Sequence, residues 1–401
     1  MGRARRPRRM SRARRLGLMR LAALIVVIVA LVALLLGALG GSDTKDSRPL
    51  PPTATRPLDT RHFAVPKLVD PHDVYAADRP GMLSPVVREM PSLIYVPNSE
   101  SDTVSVINPR TYKVIRQFPV GVNPQHVVPS YDLKTLWVNN DQGNSLTQIN
   151  PANGRPGKTI PVNDPYNLYF TPDGHYAIVV EERNQALDFR DPHTMRSEHT
   201  LSVPCYGVNH MDFTANGRYL VASCEFGGSL VKVDLVGQKV VGRLPLRSGA
   251  MPQDVKLSPD GKFFYIADMA SNGVWVVDAK SLRKVDFIPT GAGAHGLYVS
   301  RDSRDLYVSN RMGGSVSVIS LASRKVVDIW RIPGGGSPDM GGVSADGKVL
   351  WLAGRYNAEV YAFDTSDGHL LARIPVGSGP HGLCVYPQPG RYSLGHTGVF
   401  R

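Results

Sequence analysis

Cysteine is scarce in this chain: Cys205, Cys224 and Cys384 are the three in 401 residues. That number excludes a disulfide-framework domain and a four-cysteine zinc site. Several chemical signatures are missing altogether. There is no glycine-rich phosphate loop, no GxSxG nucleophile elbow, no HExxH pair and no CxxCH haem run. Helical periodicity is missing from the long central part, which excludes stacked helix pairs there. An excess of one charge is missing as well, once a single block is set aside. The net charge is +12, but residues 1–20 carry nine Arg and no acid, leaving only +3 for the other 381 residues. A basic nucleic-acid-binding body would need Lys and Arg clustered on the folded part.

The arginine block directly precedes Leu21–Leu39, 19 residues without a charge or a proline. At 1.5 Å per residue such a helix spans roughly 28 Å, about the thickness of a bilayer's hydrocarbon core. Arginines on its N-terminal side keep that end in the cytoplasm. The expectation is a transmembrane signal-anchor helix over 21–39 behind a cytoplasmic segment 1–20. A cleaved signal peptide is the alternative, because Ala38-Leu39-Gly40 supplies small residues near a cut, and the body would then be secreted. Residues 40–90 are rich in proline and read as an extended extracytoplasmic stalk.

From about Pro91 the text repeats itself. YVPNSESDTVSVINPRTYKVI at 95–115 and YVSNRMGGSVSVISLASRKVV at 307–327 share nine of 21 positions without a gap, 212 residues apart. Five periods of about 42 residues would give that distance. A hairpin of the form strand, Pro-Asp-Gly, strand marks each unit. Its turn residues Asp132, Asp173, Asn216, Asp260, Asp302 and Asp346 are spaced by 41, 43, 44, 42 and 44 residues. Each unit continues with two more short alternating strands, and four strands per roughly 42 residues make a propeller blade. Six units run from about 121 to 376, and the fragments 93–120 and 383–386 add up to a seventh. The expected fold is therefore all-β: a seven-bladed β-propeller over 91–401, closed by pairing of the C-terminal inner strand with the N-terminal strands.

Tyr95-Val96-Pro97-Asn98, Trp137-Val138-Asn139-Asn140 and Tyr307-Val308-Ser309-Asn310 each precede a strand rich in Val or Leu. In these residues the chain resembles the YVTN-type β-propeller repeat family, over about 91–390. The resemblance implies the fold and a bacterial surface protein, and leaves the activity open. Glu181, Cys224 and Gly354 stand where the repeat has Asn, which marks their blades as specialised. The fold is also similar to the nitrous-oxide reductase propeller and to lactonase-like propellers. The former implies hub histidines as copper ligands, though its histidine set is not reproduced here.

In a propeller, the loops leading into the inner strand a and leaving strand b share the face around the axial opening. The lead-in sequences place His126, Asn167, His210, Asp254, His295, Asp339 and His381 near the axis. Neutral imidazoles gathered there can bind a transition metal such as copper or zinc, with His126, His210, His295 and His381 as candidate ligands. The same ring can instead hydrogen-bond a small polar ligand, or simply cap the strand turns. His396, in the tail PGRYSLGHTGVF, is a further residue near the opening. The exits of strand b add Glu182 and Glu225 on neighbouring blades, a carboxylate pair for acid–base work or a hard cation. They also add Arg311 and Arg355, an anion clamp. Solvated surface is the competing reading for all four.

Cys205 and Cys224 flank one a–b hairpin and are spaced for a disulfide, with a free Cys224 beside His210 as the alternative. Cys384 falls on an inner strand, in the core. The reading as a whole is a membrane-anchored, monomeric propeller outside the cytoplasm that binds a ligand or an envelope protein and no nucleic acid. The alternative is an enzyme or metal-binding protein with a His/Asp site at the axis, for lactone hydrolysis or transition-metal chemistry.

Overall fold

The computed structural model describes residues 63–396 and 398–401. The arginine block, the apolar run Leu21–Leu39 and the first part of the expected stalk lie outside the described residues. Among the described residues no helix is long and apolar enough to cross a membrane.

Among the described residues, twenty-eight strands form seven four-stranded antiparallel sheets, a seven-bladed propeller. Six sheets are consecutive in the chain: β4–β7 (124–161), β8–β11 (165–202), β12–β15 (208–245), β16–β19 (252–289), β20–β23 (294–331) and β24–β27 (338–375). The seventh draws on both ends of the array. Strands β1 (Leu93–Asn98), β2 (Thr103–Asn108) and β3 (Lys113–Pro119) take β28 (Cys384–Tyr386) as inner neighbour. The register pairs Leu93 with Tyr386, Ile94 with Val385 and Tyr95 with Cys384.

The repeated residues build repeated local structure. Ser130, Thr171, Thr214, Ser258, Ser300 and Ser344 donate their hydroxyls to the turn residues Asp132, Asp173, Asn216, Asp260, Asp302 and Asp346, at 2.6–2.7 Å. The same side-chain oxygen accepts a backbone N–H two residues on, as at His175 and Lys348, which fixes each hairpin turn. The Asn of the YVxN copies closes the next turn. Asn98 donates to Thr103 and Ser105, Asn140 to Ser145 and Thr147, Asn310 to Ser315 and Ser317. Gly354 departs from that pattern because the Tyr361 ring occupies the space a side chain would need.

Strands a and b of every blade are buried on both faces. Apolar residues interlock between adjacent blades, as where Trp351 and Ala353 pack with Ile94, Val96 and Val385. Each such fully buried large side chain contributes roughly 1.5–3 kcal/mol.

The segment around Tyr75 and Asp78 meets the C-terminal residues at the base of the ring. Within the segment expected as a stalk, the described residues pack onto the propeller instead, from Phe63 and Leu68 onward. Val74 and Tyr75 are buried, and the Tyr75 hydroxyl donates to the Leu257 carbonyl at 2.7 Å. The chain is anchored there because those apolar side chains find a core. From the other end, residues 387–401 turn into the hub and run beside β8 (Pro165–Phe170) on its axial side. Phe170 N donates to Leu394 O and His396 N to Leu168 O, each at 2.9 Å. A side chain at position 395 would collide with the backbone at Leu168 and Tyr169, so glycine is required for this approach. Arg401 ends the tail in an ion pair with buried Asp212 at 3.0 Å.

Candidate functional site

Six inner strands share one irregularity. In β4 (Pro124–Pro129), β8, β12 (Val208–Phe213), β16 (Pro252–Leu257), β20 (Ala294–Val299) and β24 (Pro338–Val343), pairing with strand b shifts register just after the first residue. A bulge there re-aims the side chains of the residues it contains. The residues at these bulges are Gln125-His126, Tyr166-Asn167, Asn209-His210, Gln253-Asp254, His295-Gly296 and Asp339-Met340. The hub is therefore lined at one level by two columns that are polar except at Gly296 and Met340.

Five imidazoles converge at that level: His126, His210, His295, His381 and the tail's His396, all buried. The ring centroids of His126 lie 5.3, 4.8 and 5.2 Å from those of His210, His381 and His396. Two groups of donor atoms fall within 4.8 Å of one another: His126, His210 and His396, and separately His295, Asp339 and His381. Glycine at 382 makes room, because a Cβ there would run into the His126 ring.

Hydrogen bonding distinguishes the two groups. His126 Nδ1 faces the Tyr166 carbonyl at 3.0 Å and must donate to it, which leaves Nε2 as a lone pair. That Nε2 lies 3.3 Å from His210 Nε2, and His210 Nδ1 has no hydrogen-bond partner. In the second group Arg311 is already in place. Its Nη2 sits 2.6 Å from Asp339 Oδ1 and 2.5 Å from His295 Nε2. His295 Nδ1 reaches Asp339 Oδ1 at 3.0 Å and Met340 Sδ at 3.1 Å, and the carboxylate is the stronger acceptor. His381 Nε2 is 3.6 Å from Asp339 Oδ2, too long for a hydrogen bond, and its Nδ1 has no partner.

Burial sets the protonation of the cluster. It lowers His126 to about 3 and His295 to about 4, and holds His210, His381 and His396 well below the ordinary imidazole value. Burial would raise Asp339, but Arg311, His295 and His381 outweigh it and keep the carboxylate ionised. The hub thus presents neutral imidazoles beside one Arg–Asp ion pair, whose Asp339 Oδ2 has no hydrogen-bond partner.

Of the other sequence candidates, Asp254 accepts N–H groups from Val255 and Leu297, both at 2.9 Å, stitching neighbouring blades; burial raises it to about 6. Asn167 accepts from Leu168 N and donates to His396 Nδ1 at 3.0 Å. Glu182 and Glu225 are half-buried, not solvated surface, and Asn209 links them with contacts of 3.4 and 2.6 Å. Burial and then the Glu225 charge push Glu182 up to about 8. Arg311 and Arg355 do not converge as a clamp: Arg311 turns inward to Asp339, while Arg355 reaches Ser99 Oγ at 2.9 Å on the next blade. Cys205 and Cys224 form a disulfide, and Cys384 is a buried free thiol. Sequence reasoning passed over Tyr166, whose ring contacts His126, His210 and His381 between the cluster and the rim carboxylates. Its position beside Asn167 in the lead-in DPYNLY was the available signal.

A family model described as a YNCE-like beta-propeller matches residues 82–390, and the chain belongs to that family. Hydrazine synthase subunit beta of Kuenenia stuttgartiensis is 25% identical over 223 residues, covering 51% of this chain and 54% of the relative. The chain thus spans about half the length of that curated relative. Three solved structures share the fold. Hydrazine synthase of K. stuttgartiensis matches with TM-score 0.60 and 19% identity over 71% of this chain and 97% of that one. A functionally unknown protein from Desulfotomaculum acetoxidans gives 0.63 and 16% over 73% and 98%. The dihydro-heme d1 dehydrogenase NirN gives 0.58 and 15% over 80% and 79%.

Proposed function

For this member of the YNCE-like β-propeller family we propose a role in binding: a propeller held outside the cytoplasm by Leu21–Leu39 that docks an envelope protein around its axial opening. One observation carries the reading. Tyr206, Phe226, Met312 and Tyr356 are 62%, 51%, 65% and 62% exposed. All four sit on loops leading into strand a or leaving strand b. The pairs Val208 with Cys224, Ala294 with Asn310 and Pro338 with Gly354 put those two kinds of loop at one end of the blades. Aromatic residues and Met are the side chains that protein interfaces concentrate at their centres. Beneath them the cluster histidines are buried under Tyr166, so a partner meets the rim before the hub.

The disulfide supports an oxidising compartment. The pairing of β28 with β1 supports a ring sealed by its own tail. The relative's designation as a subunit supports a propeller that works within an assembly. The full-length chain in detergent, cross-linked in envelope extract, tests the reading. Phe226→Asp with Tyr356→Asp should lose a partner that Val327→Asp, 59% exposed on the outer strand β23 (Lys325–Arg331), retains. Equal capture by both variants would refute docking at the rim.

A further inference from the structure

We propose that His126, His210 and His396 form a binding site for one imidazole-preferring transition-metal ion, zinc or copper, and that the C-terminal tail supplies the third ligand. This site lies below the rim and does not rest on the partner-binding reading. All three side chains are 0% exposed, and one donor atom from each lies within 4.8 Å of the others. His126 has the posture of a metal ligand: Nδ1–H is held by a backbone carbonyl and Nε2 points inward, the outer-shell arrangement that fixes a ligating histidine. The Nε2–Nε2 separation to His210 is 3.3 Å. Two imidazole nitrogens on one tetrahedral ion, each at about 2.05 Å, sit about 3.3 Å apart. His210 keeps an unpartnered Nδ1 in a fully buried position, so its hydrogen bonding is incomplete as the site stands.

The other donor group lacks this opening. Arg311 already occupies the space between His295 and Asp339 with a fixed positive charge, and a second cation there would meet it. Exclusion of the ion from His295 is therefore part of the inference.

Asn167 sets a condition on loading. Its Oδ1 is taken by Leu168 N, so its amide N–H must be what faces His396 Nδ1. If His396 binds through Nδ1, that nitrogen cannot accept the amide proton. If it binds through Nε2, Nδ1 carries the ring proton and again cannot accept. Either way the Asn167 amide must turn aside. An aspartate at 167 would instead accept from His396 Nδ1–H and orient Nε2 for the ion.

The test uses full-length chain in detergent, stripped with chelator and dialysed against Zn²⁺ or Co²⁺. One ion per chain is expected. His126→Ala and His210→Ala should each weaken binding by more than the roughly 10–100-fold that loss of an outer-shell partner causes. His295→Ala should change it little, and Asn167→Asp should tighten it by about tenfold or more. Loading should raise the melting temperature, because the ion ties the tail to two blades. If an alanine variant does not fold, the Co²⁺ spectrum of the unmodified chain decides. A tetrahedral nitrogen-ligand spectrum supports the site, and an octahedral aquo-like spectrum overturns it. Retention of no more ion than a stripped blank, or an equal loss in His295→Ala and His210→Ala, also overturns it.

Discussion

The two ends of the hub hold buried polar groups in opposite ways. At the base, cations and anions are matched. Arg401 meets Asp212 at 3.0 Å, and Arg301 lies 4.0 Å from Asp78, which burial nevertheless pushes up to about 7. Lys256 Nζ and Asp78 Oδ1 lack hydrogen-bond partners, yet both residues line one cavity of about 20 Å³, enough for a single bridging water. At the other end five neutral imidazoles crowd together, two of them, His210 and His381, with an unpartnered Nδ1, beside the Arg311–Asp339 ion pair. At the base the two unpartnered atoms share a water-sized cavity beside opposite charges, whereas the upper cluster leaves the Nδ1 atoms of His210 and His381 without a partner. Incomplete satisfaction in a fully buried place is where a ligand is to be sought.

The largest test of this contrast removes the tail, which serves the base through Arg401 and the upper cluster through His396. Deleting residues 387–401 takes away Tyr392, Leu394, Val399 and Phe400, all buried, together with the Arg401 pair. At roughly 1.5–3 kcal/mol for each large apolar side chain, the loss should exceed about 5 kcal/mol. Calorimetry should show a melting temperature lowered by many degrees, and an unchanged transition would mean the tail is not part of the folded hub. Asp212→Ala is the next largest. It strands Arg401 without its carboxylate, at 4% exposure, and should destabilise by about 3–5 kcal/mol in a denaturant titration. Away from the hub, Cys205→Ser with Cys224→Ser opens a loop of sequence separation 19, which should remove about 2–4 kcal/mol. A reductant should reproduce that loss in the unmodified chain and leave the variant unmoved.

The sequence made the repeated parts of this architecture readable and the single-copy parts obscure. Turn residues such as Asp173 and Asp346, and the Asn98 and Asn310 staples, act through neighbours a few residues away and recur at a fixed period. The histidines His126, His210, His295 and His381 were legible for the same reason, as polar residues in repeated lead-ins. What recurs nowhere was not legible. The packing of Tyr75 against Leu257 spans 182 residues, and Asn167 meets His396 across 229. Arg311 looked like a rim charge because sequence gives the loop but not the rotamer, and only the bulge at Asp339 brings a carboxylate within its reach.

The smallest effect sharpens the comparison at the rim, where Glu182 and Glu225 lie close without a matching cation of their own. Glu182 holds its proton to about pH 8 in the folded chain, against an ordinary value of 4.5, through burial first and the Glu225 charge second. Between those values the folded state binds a proton that the unfolded chain has released, so stability from this group is complete below pH 4.5 and declines as pH rises through 8. Glu182→Gln has no proton to lose. Its stability relative to the unmodified chain should grow from pH 5 to pH 9, reaching about 1 kcal/mol once solvent screening at this half-buried position is allowed for. Urea titrations at the two pH values measure the difference directly. A constant offset would mean that Glu182 is already ionised in the folded rim. Asn209 would then be donating to two carboxylates, and the rim would carry a buried like-charge pair that the base of the hub nowhere permits.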